Sequence, residues 1–378
     1  MIKVGIVVQR YGAEVVGGAE VLARNVAERL NSNGFDVTVF TTTACDYITW
    51  SNYFHPGESI LKGVIIKRYK VEKPRDIKKF NAYSEEFFAS DSGDRDEQQW
   101  ILKQGPVAPD LIDALRDEQK DHDVFLFFTY LYYTTVHGLK VITRPTILFP
   151  TAHDEPPIYL KLMRDVFHKP DALFFLTAAE LNFVRKQFNP VNKMELVRTG
   201  IDIDYKKTVA PFREIYMIYT PYILYAGRLE KGKGLELVFQ AFQELKKTCL
   251  IDLILIGKQL MDIPRTEGIR YLGYISENEK MSAFENAVIS VQPSSLESLS
   301  ITTLESFSQK TPVLVNRQSA VLEEHVKLSG GGLSYESVEE FIEQFKKIYY
   351  HPQFREKCGQ KGYEYLIKYY SWNGVMKK

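Results

Sequence analysis

Short apolar runs rich in Val, Ile, Leu and Phe alternate along this chain with stretches whose apolar positions recur every three or four residues. The first pattern predicts buried strands and the second amphipathic helices, and their alternation predicts parallel sheets wrapped by helices. In the N-terminal half, strands are expected at 2–8, 36–41, 63–69, 123–128, 146–149, 172–176 and 195–198. Between the first two, a helix is expected from Ala19 to about Leu30, with Leu22, Val26 and Leu30 on one stripe. Asn33-Gly34 ends it by accepting a left-handed backbone. Residues 206–221 have no clear period and are marked by Pro211 and Pro221, so a domain boundary is placed there. The pattern then restarts, with strands at 222–226, 252–256, 269–272, 288–292 and 312–315. Helices are expected at 235–247, at 277–287, from near Ile301, and onward to the C-terminus.

Fully apolar strands such as LILI at 253–256 suit sheets covered on both faces. The fold class expected is therefore α/β, with two doubly wound, Rossmann-like domains facing a cleft, over 1–205 and 221–354. A length of 378 residues fits two hydrophobic cores better than one. Charged residues at 25% and apolar ones at 45% exclude a disordered or fibrous chain. Forty-eight basic and 48 acidic residues cancel, which argues against wholesale nucleic-acid binding, because neutralising phosphates needs a basic excess. Three scattered cysteines (Cys45, Cys249, Cys358) lack metal-ligand spacing and predict no disulfide framework, so a reducing cytoplasm is the expected home.

The opening apolar run is too short for a signal peptide. The longest such run, 124–136, falls short of the roughly 20 residues that cross a bilayer. Peripheral contact at the inner membrane face is the remaining option. Residues 62–79 hold eight cations against Glu72 and Asp76. They could meet an anionic surface, at about 1 kcal/mol per cation. The favoured reading is a strand edge whose lysines prevent aggregation.

Three segments point to phosphate. The loop after the first strand ends in Gly17-Gly18 just before a helix, where backbone approaches closely and free amides meet the positive dipole end. Its glycines do not have the dinucleotide-binding spacing, so a nicotinamide enzyme is not expected, and a plain flexible turn stays an alternative. In the second segment, Gly227-Arg228 and Lys233-Gly234 lie between a buried strand and a helix. Arg228 and Lys233 can both reach over that helix start toward a dianion. A solvated basic turn ranks second, since cations at a helix N-terminus oppose the dipole unless an anion is present.

The third segment runs from Pro293 to Glu305. Glu297 precedes a helix and Glu305 stands on its second turn, eight residues later. That spacing lets one carboxylate accept sugar hydroxyls while the other holds a ribose. Ser298, Leu299, Ser300, Ile301 and Thr302 between them expose amides to phosphate. The alternative is an acidic pair serving only the helix dipole. Asp-x-Asp triplets at Asp94/Asp96, Asp121/Asp123 and Asp202/Asp204 could hold a divalent ion, but solvated loops are the favoured reading for all three.

Together GGAE (17–20), YAGRLEKGKG (225–234) and PSSLESLSITTLES (293–306) resemble the family-4 glycosyltransferases, of retaining mechanism and GT-B fold. The likeness spans essentially the whole chain. His153 in PTAHDEPP (150–157) looks like that family's active-site histidine. The resemblance implies that Arg228 and Lys233 bind a diphosphate, Glu297 the donor sugar and Glu305 the ribose. Gly18 would place its amide against the distal phosphate, His153 would sit beside the sugar, and Tyr274 would contact the base. It also implies that the C-terminal helix, 355–378, packs back on the first domain. Where the family often shows Glu-Gly-Phe-Gly, this chain has Glu297-Ser298-Leu299-Ser300.

The expected activity is hexose transfer from a nucleotide-diphosphate sugar, UDP-glucose first and GDP-mannose second. The acceptor would be a saccharide or glycolipid, as in polysaccharide biosynthesis. With two cations on the leaving group, no metal or other cofactor is expected. A nucleotide-sugar 2-epimerase-type isomerase and a non-catalytic nucleotide-sugar-binding subunit remain rivals.

Overall fold

The apolar runs of the N-terminal half pair into one eight-stranded sheet. Its strands are β1 (Lys3–Val7), β2 (Asp36–Thr42), β3 (Gly57–Leu61), β4 (Val64–Tyr69), β5 (Val124–Phe128), β6 (Thr146–Phe149), β7 (Ala172–Phe175) and β8 (Lys193–Leu196). They lie in the order β3-β4-β2-β1-β5-β6-β7-β8. All neighbours are parallel except β3 and β4. The chain leaves β1 on one side for β2 and β4 and returns on the other with β5, so the loops after β1 and β5 part at a switch point.

The edge strand β3 was not expected. It is almost wholly exposed, so burial imposes no apolar pattern on it. The left-handed pair Lys62-Gly63 (φ 49° and 83°) turns it tightly into β4. Cations of 62–79 have partners within this half: Lys62 pairs with Glu28 and Lys67 with Glu118. Arg68 lies over the Phe54 ring, and Arg75 donates to the carbonyls of Tyr47, Ile48 and Gln104.

The computed structural model describes residues 1–90, 95–202 and 212–377. Over these the chain forms two units, Met1–Leu176 with Glu180–Leu196, and Thr177–Ala179 with Val197–Lys378. The second unit has six parallel strands: β9 (Tyr222–Ala226), β10 (Asp252–Ile256), β11 (Ile269–Gly273), β12 (Ile289–Gln292), β13 (Val313–Asn316) and β14 (Gly332–Tyr335). Their order is β11-β10-β9-β12-β13-β14, with a switch point between β9 and β12. Both of those strands are buried at every position. The helix Leu235–Lys246 covers them with Leu235, Val238, Phe239, Phe242 and Leu245, a 3.6-residue stripe.

The long helix Pro352–Tyr369 packs on the helices Ile301–Ser308, Ala320–Ser329 and Val338–Tyr350. It therefore counts with the second unit, where the resemblance implies the first. Close approach explains the docking. A Cβ on Gly359 would stand 1.8 Å from the Lys310 carbonyl oxygen, so only glycine lets this helix sit so near. The units part at Leu196/Val197, short of the expected 205, and most of the expected boundary segment lies outside the described residues.

One polar group stands out in this core. His325, on the helix Ala320–Ser329, is wholly buried. Its Nε2 lies 2.7 Å from the Leu299 carbonyl and its Nδ1 3.2 Å from the Tyr365 hydroxyl. Burial, with Arg198 adding to it, pushes its pKa down to about 4, against the Leu299 hydrogen bond and Glu297. The imidazole is thus neutral in the folded chain. Between its ordinary value near 6.5 and about 4, the unfolded chain takes up a proton that the folded one refuses, so stability falls as pH falls. That loss is on the order of 3 kcal/mol by pH 4. The stability gap between the unaltered chain and His325→Gln, read as urea midpoints, should therefore narrow from pH 7 to pH 4.5. A constant gap would contradict the burial of a neutral imidazole.

Candidate functional site

The loops after β9, β10, β11 and β12 leave the same edge of the second sheet, and the predicted residues gather there. The loop after β9 is tied down by backbone bonds: Gly227 N–H to Ile256, Leu229 N–H to Lys258, and the Tyr225 hydroxyl to the Arg228 carbonyl at 2.6 Å. Arg228 projects from this fixed base and pairs with Glu230 at 3.0 Å. Gly234, left-handed at φ 77°, starts the next helix, and a Cβ there would stand 2.3 Å from the Pro293 carbonyl oxygen. This contact presses the loop after β9 against the loop after β12. Lys233 then reaches across, its Nζ 2.9 Å from Glu297 Oε1 and 3.4 Å from Ser294 Oγ.

Ser298, Leu299 and Ser300 form the turn from Glu297 into the helix Ile301–Ser308. Ser300 is left-handed (φ 60°, ψ 73°), and no side chain caps the helix start. The first amides, of Ile301 and Thr302, therefore keep no side-chain acceptor, and no acidic residue stands in the first turn. Such an end attracts an anion. The Thr302 hydroxyl donates to Gln292 Oε1 at 2.9 Å.

Glu305 is buried one turn further on. Its Oε1 bonds Lys280 Nζ at 2.9 Å, and Lys280 also bonds Glu277 at 2.8 Å. Burial works against the Lys280 charge, but Glu305 and Glu277 outweigh it and hold the ammonium above its ordinary value. Burial holds the Glu305 carboxyl above its ordinary value, against the pull of Lys280. The pair is ionic, because a neutral Glu305 would leave a buried ammonium with one exposed carboxylate. Glu305 Oε2 is buried and accepts no hydrogen bond among the described residues. Tyr274, directly after β11, is 63% exposed.

His153, Gly17 and Gly18 lie in the first unit. Gly17 has an extended backbone (φ 165°), so its glycine answers to space: a Cβ would stand 2.2 Å from Glu20 Oε2. Glu20 is buried against Arg10, which also donates to the Cys45 carbonyl at 2.8 Å. Arg24 donates to the carbonyls of Gly12 and Ala13, and Arg68 to that of Tyr11. Arg10 also reaches the Val16 carbonyl at 3.4 Å, so three arginines hold the loop's carbonyls, which replaces the flexible-turn alternative with a built loop. Gly18 opens the following helix with nothing near its Cβ position.

His153 Nε2 is 3.3 Å from Glu155 Oε1, which also accepts from the Tyr130 hydroxyl at 2.6 Å. Burial pushes Glu155 up, but His153 and Tyr130 outweigh it and hold its carboxyl below the usual range.

Two of the Asp triplets have structural duties. Asp96 caps the helix Glu97–Gln104 and Asp123 accepts the Lys3 amide, while Asp94 and Asp204 lie outside the described residues. No cluster of three potential metal ligands occurs among the described residues. Sequence reasoning missed Lys280, Ser294 and the Arg10–Glu20 pair. Each meets its partner through the fold, and none carries a spacing signal. The weak clue for Lys280 was its place three residues after Glu277 on a helical stretch.

Residues 218–365, which include Arg228, Lys233, Tyr274, Glu297 and Glu305, match the family model of Glycosyl transferases group 1. Among curated proteins, none matches the chain. Several solved structures share the fold at low identity. Sucrose-phosphate synthase from Thermosynechococcus elongatus is 15% identical with a TM-score of 0.74, over 99% of this chain and 96% of that one. Anabaena HepE, in complex with UDP and glucose, is 12% identical with a TM-score of 0.74, over 100% and 98%. Trehalose 6-phosphate synthase from Burkholderia multivorans is 14% identical with a TM-score of 0.70, over 100% and 97%. Domain match and fold together give the second unit a glycosyl transferases group 1 domain and the chain the GT-B fold.

Proposed function

We propose that the chain transfers a hexose, with retained configuration, from a nucleotide-diphosphate sugar to a saccharide or lipid-linked acceptor. UDP-glucose is the first donor and GDP-mannose the second, and polysaccharide or glycoconjugate synthesis is the setting. The observation that carries this is the 2.9 Å contact between Lys233 and Glu297 beside an uncapped helix start. A nucleotide sugar joins a dianion to a polyol through one bond, and here a cation and a carboxylate meet at one point. The UDP and glucose bound by HepE support the choice of donor.

Breaking the glycosyl–phosphate bond builds positive charge on the sugar carbon and negative charge on the departing diphosphate. Arg228, Lys233 and the amides of Ile301 and Thr302 would stabilise that negative charge, the kind of preorganised electrostatics that usually dominates catalysis. Glu297 would accept the sugar hydroxyls and Glu305 Oε2 those of the ribose, with Tyr274 against the base. The acceptor hydroxyl attacks the face the leaving group vacates, and its proton passes to a phosphate oxygen, so no protein base is required. From the first unit we assign His153 and the amides of Gly17 and Gly18 to the same reaction, on the resemblance alone. Two fixed cations supply the charge a metal would, and we propose that none is resident. No helix among the described residues is long and apolar enough to cross a membrane. Several of the cations in 62–79 already have protein partners, so membrane contact has no part in this proposal.

Lys233→Ala should lower turnover roughly 100-fold or more, the scale for removing one stabiliser of developing charge. Near-normal turnover would refute the diphosphate assignment. With UDP-glucose and a panel of saccharide and lipid-linked acceptors, UDP should form only when an acceptor is present, and EDTA should leave the rate within twofold. Epimerised donor without acceptor, or tight UDP binding without turnover, would replace transfer with a rival. Loss of activity on EDTA, restored by a divalent ion, would overturn the metal-free part.

A further inference from the structure

The turn 297–300 holds a conformation its own residues do not favour. Ser300 adopts left-handed φ and ψ, which cost a non-glycine residue roughly 1–2 kcal/mol. Such a residue persists only where its surroundings over-determine it. The φ of Ser300 is set by the orientation of the peptide plane between Leu299 and Ser300. The carbonyl of that plane is the one that His325 Nε2 meets at 2.7 Å. A carbonyl oxygen only accepts, so Nε2 carries the hydrogen, and in the neutral ring Nδ1, beside the Tyr365 hydroxyl, is the acceptor. Packing leaves the imidazole no other place: His325 is wholly buried, with the Tyr365 and Tyr370 rings against it at 5.9 and 5.7 Å. Other contacts also hold the turn: the buried Leu299 side chain, the Thr177 hydroxyl donating to the Ser298 carbonyl at 3.4 Å, the Thr303 amide donating to the Ser300 carbonyl at 3.1 Å, and Ser300 Oγ at 2.9 Å from Thr303 Oγ1 and 3.5 Å from Thr302 Oγ1; none of them is made to the Leu299 carbonyl.

We propose that His325 is the positioning residue of this turn: by holding the Leu299 carbonyl it fixes the peptide plane that presents Glu297 on one side and the Ile301 and Thr302 amides on the other. It supports a serine where glycine would adopt the shape unaided. Tyr365 extends the support to the helix Pro352–Tyr369, so the turn is braced from the C-terminal end of the chain. That bracing affects the donor sugar only if the donor reading above is right; the effect on the turn itself does not depend on it.

The test has two arms. In the first, amide hydrogen exchange is followed across the intact chain without substrate. His325→Phe keeps the ring volume but removes the donor, and should speed exchange in 297–303 at least tenfold relative to the β9 and β10 peptides. His325→Gln, whose amide stands near the Nε2 position, should bring it back to within threefold. If His325→Phe does not fold, His325→Asn, too short to reach the carbonyl, takes its place with the same expectation. Unchanged exchange in 297–303, or loosening spread evenly through the unit and not rescued by Gln, overturns the inference.

In the second arm, His325→Phe should lower kcat/KM for UDP-glucose at least tenfold with the acceptor KM unchanged, and Gln should restore it. Exchange that responds without this kinetic split keeps His325 as the brace and removes the donor role of the turn.

Discussion

A buried carboxylate with one oxygen answered and the other unanswered sets the terms for the second unit. Glu305 Oε1 is matched by Lys280, while Oε2 accepts nothing among the described residues. Leaving a charged oxygen buried without a donor is costly, on the order of 1–3 kcal/mol or more. Removing Lys280 would cost further, about 3–5 kcal/mol, because it would strand the charge altogether. The pair therefore fixes both the ionisation and the direction of Glu305, and a neutral hydroxyl donor is the partner that satisfies it without adding charge.

Arg228, Lys233 and Lys280 are each paired with a carboxylate, an arrangement by which a chain of zero net charge could serve the dianionic ligand proposed above. The cations are held in place by Glu230, Glu297 and Glu305. Under the proposed function, an arriving diphosphate would compete for Arg228 and Lys233, and sugar hydroxyls would replace Lys233 on Glu297. Such an exchange of partners suits a ligand that is anionic at one end and a polyol at the other, and a bare phosphate serves it less well. The helix start at Ile301 adds amides that no side chain among the described residues caps.

Much of this was legible before any coordinates. The apolar runs located the parallel strands, since a sheet covered on both faces demands continuous apolar sequence. Glycines and cations after β9, and carboxylates after β12, marked the loops at the sheet's working edge. The hidden parts have physical reasons. The strand β3 is exposed and so carries no alternation. Lys280 stands 25 residues from Glu305 and Arg10 ten from Glu20, pairings that only the fold creates. Nor does the sequence reveal that the missing side chain of Gly17 makes room for Glu20. His325 offered no motif, because its role depends on a carbonyl 26 residues away. The docking of the last helix turned on the space at Gly359, which composition does not reveal.

The most direct measurement compares the affinities of UDP and 2′,3′-dideoxy-UDP for the unaltered chain and for Glu305→Gln, by calorimetry. If Glu305 Oε2 receives the ribose hydroxyls, UDP binds the unaltered chain at least tenfold more tightly than the dideoxy compound, and most of that preference disappears in Glu305→Gln. Equal affinity of both nucleotides for the unaltered chain would show that the unanswered oxygen serves something else.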